Sequence, residues 1–121
     1  MAKTFKVVTF AAEPASAGTP YVMYTVASST TTVVLGLVLS NINTTAVTAE
    51  VELVSTTSSR GGANNVANGT SFLIKDVNIP TGSSLEILSG GKVVLEAGDK
   101  IQIDCSVADK LSGTLSIMEI T

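Results

Sequence analysis

The chain contains no histidine, and that absence decides most of what its polar residues can do. Histidine is the usual general base at neutral pH and the commonest protein ligand for metals. Without it, neither a Ser-His-Asp nor a Cys-His nucleophile can be assembled. A zinc site needs several thiolates or imidazoles, and Cys105 is the single thiol. Two carboxylates remain as a candidate acid–base pair. Glu50 and Glu52 flank Val51, so on a strand they share a face about 6.6–7 Å apart. That separation suits glycoside hydrolysis, but a sugar cleft needs aromatic walls, and the chain has no Trp and two Tyr. The pair reads instead as the wet face of an edge strand. Asp99, Asp104 and Asp109 recur at an interval of five, which misses the alternating oxygens of a calcium loop. No catalytic residue, metal site or cofactor is expected.

The remaining motifs dissolve in the same way. Cys105 follows Ile101 and Ile103 at a period of two, with Lys100, Gln102 and Asp104 between them. That places the thiol on the buried side of a strand, where apolar surroundings raise its pKa and leave it inert. Gly98-Asp99-Lys100 lacks the flanking glycines and the helix of a phosphate loop. One Arg60-Gly61-Gly62 is a loop tip. Asn43-Thr44-Thr45 and Asn68-Gly69-Thr70 match a glycosylation acceptor by chance in a Thr-rich chain. Net charge is −3 with scattered Lys and Arg, so no basic patch exists to neutralise nucleic-acid phosphates. The start, Met1 to Lys6, lacks the apolar stretch of a signal peptide. The longest apolar run, Val33 to Leu39, is too short to span a bilayer. The expectation is a soluble chain made in a cytoplasm, binding neither membrane nor nucleic acid.

The elements that carry these residues are strands. Val, Ile and Thr are abundant, and β-branched side chains favour a pleated surface over a helix. Ten Gly and three Pro punctuate the apolar runs. The pattern predicts about nine strands: Phe5–Phe10, Tyr21–Val26, Thr32–Ile42, Val47–Leu53, Phe72–Ile79, Leu85–Leu88, Lys92–Leu95, Lys100–Ser106 and Thr114–Ile120. A hairpin is expected across Asn43-Thr44-Thr45. Gly82–Ile87 and Gly98–Ile103 echo each other as two similar turns feeding strands. The fold class is all-β, an antiparallel β-sandwich without significant helix, either jelly-roll or immunoglobulin-like. At 121 residues one domain with one core is expected. It carries a long Gly/Asn/Ser-rich loop near 55–71.

Two features point to assembly. Charged residues make up 14% of the chain, against about 25% in a typical soluble domain, and mean hydropathy is +0.45. The strand Val33 to Ile42 is apolar on both sides, where an antiparallel strand normally shows one wet face. Strict alternation puts Val33, Leu35, Leu37 and Leu39 on one face and Val34, Val38 and Ile42 on the other. Val34, Val38 and Ile42 are the expected subunit interface of a homo-oligomer. The long loop is the second candidate contact, through Arg60, Asn64, Asn65 and Asn68.

The C-terminal half carries a resemblance. Val77-Asn78-Ile79-Pro80-Thr81-Gly82-Ser83-Ser84-Leu85-Glu86-Ile87-Leu88 is followed by Gly90-Gly91-Lys92-Val93-Val94-Leu95-Glu96-Ala97-Gly98-Asp99-Lys100-Ile101. With Thr32 to Ala46 and the ending Gly113 to Thr121, these segments resemble small β-sandwich virion structural proteins of tailed bacteriophages. The resemblance implies a non-enzymatic module of a capsid, neck or tail, located in the virion and binding other virion proteins. It supplies no catalytic residues. The alternative is a carbohydrate-binding sandwich on a phage tail, with Tyr21, Tyr24 and Phe72 as its only aromatic candidates. On a regular strand Tyr21 and Tyr24 face opposite ways.

Overall fold

The computed structural model describes residues 2–55, 69–88 and 91–121. Among them every regular element is a strand: β1 (Lys3–Glu13), β2 (Tyr21–Thr25), β3 (Thr31–Asn41), β4 (Val47–Val54), β5 (Thr70–Ile79), β6 (Ser84–Ile87), β7 (Val93–Leu95), β8 (Lys100–Cys105) and β9 (Leu111–Ile120). All nine expected strands are present, with ends displaced by a few residues.

They form two antiparallel sheets. The five-stranded sheet runs β1-β9-β3-β6, with β7 also paired to β3. The four-stranded sheet runs β2-β8-β4-β5. β6 lies beside Leu37 to Ser40 and β7 beside Thr32 to Val34, so the two share one position along β3. Eight strand positions in these orders give the connectivity of a jelly roll. The immunoglobulin-like alternative has a different strand order.

The expected hairpin across Asn43-Thr44-Thr45 is not one. β3 and β4 belong to different sheets. β9 and the β6/β7 position already occupy both edges of β3, and β4 lies between β8 and β5. Buried Asn41 makes the crossing possible. Its Nδ2 donates to the carbonyls of Thr45 at 3.0 Å and Ile79 at 2.9 Å, and its Oδ1 accepts from the Asn43 N–H at 2.8 Å. The two echoing turns do match. Ser83 N–H donates to Pro80 C=O and Asp99 N–H to Glu96 C=O. Gly82 and Gly98 hold φ of 72° and 88°, as the third residue of such turns requires.

The core lies between the sheets. β4 contributes Val47, Ala49 and Val51, and β8 contributes Ile101, Ile103 and Cys105; all are buried. Opposite them sit Leu37 and Leu39 of β3 and Leu111, Leu115 and Ile117 of β9, also buried. Each such aliphatic side chain stabilises the fold by roughly 1.5–3 kcal/mol. Phe10 of β1 reaches across to Tyr21 of β2, ring centroids 5.3 Å apart in an edge-to-face arrangement.

Two bulges change which side chains face this core. In β3 the register with β9 slips between Val34↔Ile117 and Gly36↔Ser116. A bulge inserts one residue and reverses the alternation beyond it. Val34 is therefore core, 0% exposed, whereas Val38 is 36% exposed. In β2, Tyr21 opposes Ile103 and Tyr24 opposes Ile101, with a slip between Val22 and Tyr24. The extra residue brings both tyrosines to the inner face, contrary to the regular-strand expectation, and both pack against the core.

Candidate functional site

Of the carboxylates that could do chemistry, Glu50, Glu52, Asp99 and Asp104 are each held by a neighbour. β4 is an interior strand rather than the expected edge. Glu50 pairs with Lys75 of β5 at 3.0 Å, and Glu52 accepts from Gln102 Nε2 of β8 at 2.8 Å. Lys75 also sits 4.6 Å from the centre of the Phe72 ring. A cleft of about 340 Å³ lies here, lined by Gly18, Thr48, Glu50, Asp76, Asp104, Cys105 and Ser106. Glu50 and Asp104 are directly opposed across β4 and β8. Asp104 Oδ1, however, accepts from the N–H groups of Gly18 at 3.1 Å and Cys105 at 2.8 Å. Burial pushes the Cys105 thiol up, so it stays protonated and unreactive near neutral pH. Asp99 Oδ2 accepts from the Glu96 N–H at 3.0 Å, inside a turn. Among the described residues no group of three acidic or thiol side chains is placed to hold a metal ion.

A second polar cluster joins the two sheets. Glu119 of β9 accepts from Lys6 of β1 at 2.6 Å and from the Tyr24 hydroxyl at 2.6 Å. The Tyr24 hydroxyl also lies 2.8 Å from Thr32 Oγ1. The Lys6 and Tyr24 donors hold the Glu119 carboxyl below its usual range. Burial, with the Glu119 carboxylate beside it, pushes the Tyr24 phenol up to about 12. The cluster is a clasp between β1, β9, β2 and β3, and it occupies Tyr24. Tyr21 is engaged with Phe10. Tyr21, Tyr24 and Phe72 therefore present no common platform for a sugar ring.

The expected interface residues are not brought together. Val34 belongs to the core, while Val38 and Ile42 are 36% and 48% exposed. Arg60, Asn64, Asn65 and Asn68 lie outside the described residues. What the structure presents instead is the outer face of the five-stranded sheet. The pairings Phe5↔Met118, Met118↔Val33 and Val33↔Val94 make one apolar row across β1, β9, β3 and β7. Phe5 is 71% exposed, Val7 63% and Val94 62%. The sequence held a signal for part of this. Phe5 and Val7 alternate with Val8 and Phe10, so β1 is apolar on both faces.

No protein-family model matches the chain, and no curated protein does. Among solved structures it is similar to a Bacillus endospore appendage protein, from a work describing a family of disulfide-linked pili. The identity is 17%, the TM-score 0.47, and the match covers 99% of this chain and 87% of that one. At that level the likeness adds nothing to the strand order already described. None of these comparisons ties the chain to the phage proteins that its sequence resembles.

Proposed function

We propose that this chain is a non-enzymatic structural subunit of a multi-copy assembly, and that the assembly is the virion of a tailed phage. The observation that carries the structural part is the outer face of the five-stranded sheet. A sheet face turned to water alternates toward polar residues. This one displays Phe5, Val7 and Val94, each more than half exposed. The low charge of the whole chain supports the same reading, because a surface short of charge resists association poorly. The virion part rests on the sequence resemblance of Val77 to Ile101 and the flanking segments.

Mass spectrometry of purified virions is the test. The expected result is the chain at a fixed stoichiometry, as one component among other virion proteins. Its absence from particles, with the chain present in the infected lysate, overturns the virion assignment. Reproducible turnover of any substrate, lost in Glu50→Gln, overturns the non-enzymatic one.

A further inference from the structure

We propose that the free edge of β1 is the self-association site of this chain. It takes β1 of a second copy as an antiparallel strand, about a two-fold axis normal to the sheet at Val7. The inference rests on the multi-copy reading above and names its partner and site.

Among the described residues each sheet ends in two edges, and three of these edges are poor templates for another strand. β2 is five residues long, with a slip between Val22 and Tyr24. β6 and β7 are four and three residues long and share one position. β5 slips twice against β4, and Asp76 within it holds a φ of 50°. Short strands and bulges are what keep sheet edges from pairing. β1 has neither over the span that matters: it pairs with β9 from Lys3 to Phe10 without interruption. The ladder with β9 shows which main-chain groups are open. Ala2 and Thr121 exchange both hydrogen bonds, at 3.0 and 2.9 Å. Such pairs alternate along an antiparallel ladder. Thr4, Lys6, Val8 and Phe10 therefore bond to β9, and Lys3, Phe5, Val7 and Thr9 aim N–H and C=O away from it. An extended strand is the partner that satisfies such a row.

β1 is complementary to itself in one register. Centred on Val7, the two strands oppose Val7 to Val7 and, on either side, Phe5 to Thr9. Every hydrogen-bonded pair then joins two open residues, as the ladder requires, and aromatic against β-branched is a favourable cross-strand pair. Lys6 opposes Val8 and Lys3 opposes Ala11, so no like charges stand directly opposite. A centre on Lys6 would oppose the two lysines, and a centre on Val8 shortens the ladder against the slip that follows Phe10. Lys6 points inward, the kind of charge that guards an edge, but Glu119 draws it toward β9 at 2.6 Å. An axis normal to the sheet keeps outward faces together. Phe5 and Val7, 71% and 63% exposed, thus each gain a cross-strand neighbour. The pairing is isologous and closed. One strand pair buries little surface, so the pair is reversible in solution and is reinforced when many copies are held on one particle.

Sedimentation velocity on the full chain over a wide concentration range, with amide hydrogen exchange by NMR at both ends of that range, tests the proposal. The wild type is expected to show a reversible monomer–dimer equilibrium. The amides of Phe5, Val7 and Thr9 should exchange fast in the monomer and slowly in the dimer, while those of Lys6 and Val8 stay protected in both. Val7→Pro should weaken the dimer about tenfold or more with far-ultraviolet circular dichroism unchanged, because an edge N–H that faces solvent can be given up. Val7→Cys, which brings two thiols into one cross-strand pair within disulfide reach, should oxidise to a covalent dimer. Val94→Cys, 62% exposed on β7, should not. A wild type monomeric throughout, or a dimer in which Phe5, Val7 and Thr9 stay unprotected, overturns the proposal. A dimer lost in Val94→Asp and kept in both Val7 variants overturns it in favour of the sheet face. Protection of the three amides that appears only when other virion proteins are added assigns the edge to a foreign strand and overturns the second copy. The virion measurement separates the two readings. Incorporation without dimerisation removes this edge contact alone. Dimerisation without incorporation removes the virion assignment and leaves the edge contact standing.

Discussion

Gly113 sits in the middle of β9 because Phe10 occupies the space a side chain would take. A Cβ built there would lie 2.2 Å from Phe10 Cε2, and β1 pairs the two residues directly. Gly in a strand often marks such a close approach. Gly113→Ala is expected to destabilise the fold by about 1–3 kcal/mol through overpacking, read as a lower urea midpoint. Gly113→Ala combined with Phe10→Leu should recover part of that loss, since the ring is what clashes. Glu119 gives a pH prediction. Its carboxyl is held below the usual range by Lys6 and then Tyr24. A depressed folded-state pKa contributes stability above the unfolded carboxylate value, and the contribution is lost as pH falls through the folded value. Stability should therefore drop between neutral pH and the acid range, and Glu119→Gln should flatten that drop. Lys6 is half exposed, so the ion pair alone is worth about 1 kcal/mol or less. An equal acid dependence in Glu119→Gln and wild type would remove the clasp from the account.

At the scale of elements, the strands were legible and their facings only partly so. Strand content follows from β-branched composition and Gly, Pro and Asn punctuation, and these act locally. β4 and β8 alternate without interruption, so their buried positions could be read directly: Val47, Ala49 and Val51, then Ile101, Ile103 and Cys105. β2 and β3 carry bulges, and a bulge is set by the register of the partner strand, which sequence spacing does not show. Gly36 beside the β3 slip is the one local hint. The same non-locality hid the pairing of β3, because Asn43-Thr44-Thr45 suits a hairpin and a crossing between sheets equally well. The exposed apolar face was hidden for the same reason. Moving Val34 inward and leaving Val38 outward dissolved the expected set. Phe5, Val94 and Met118 gather only once β1, β9, β3 and β7 are aligned. The bulge has a direct test. Val34→Asp buries an unpaired carboxylate and should unfold the domain, since such a charge costs several kcal/mol. Val38→Asp should change stability by no more than about 0.5 kcal/mol. Strict alternation from Val34 would put both residues on one face and make the two variants alike.

For the whole molecule, β9 is the element on which the rest depends. It lies between β1 and β3, so its removal leaves both neighbours with an open edge. It also supplies Leu111, Leu115 and Ile117, each 1% exposed or less. Three such side chains contribute about 5–9 kcal/mol, comparable with the 5–15 kcal/mol total stability of a typical domain. A chain lacking residues 111–121 is therefore expected to be unfolded by circular dichroism. Its four-stranded sheet would lose the cover over β4 and β8 along with the five-stranded sheet. The same arrangement governs the folding rate. Lys3 pairs with Ile120, and the N–H and C=O of Ala2 and Thr121 bond reciprocally at 3.0 and 2.9 Å. The five-stranded sheet thus closes only when the two ends of the described chain meet, and that contact spans nearly the full sequence. Loop closure over such a span costs entropy before any burial offsets it. Stopped-flow refolding is expected in the millisecond-to-second range found for domains dominated by long-range pairing. Leu115→Ala should speed unfolding and leave the refolding rate nearly unchanged if β9 docks after the transition state. A refolding rate that falls in step with stability in Leu115→Ala would place β9 in the nucleus instead. The four-stranded sheet, joined locally through β4 and β5, would then form on the scaffold that β9 provides.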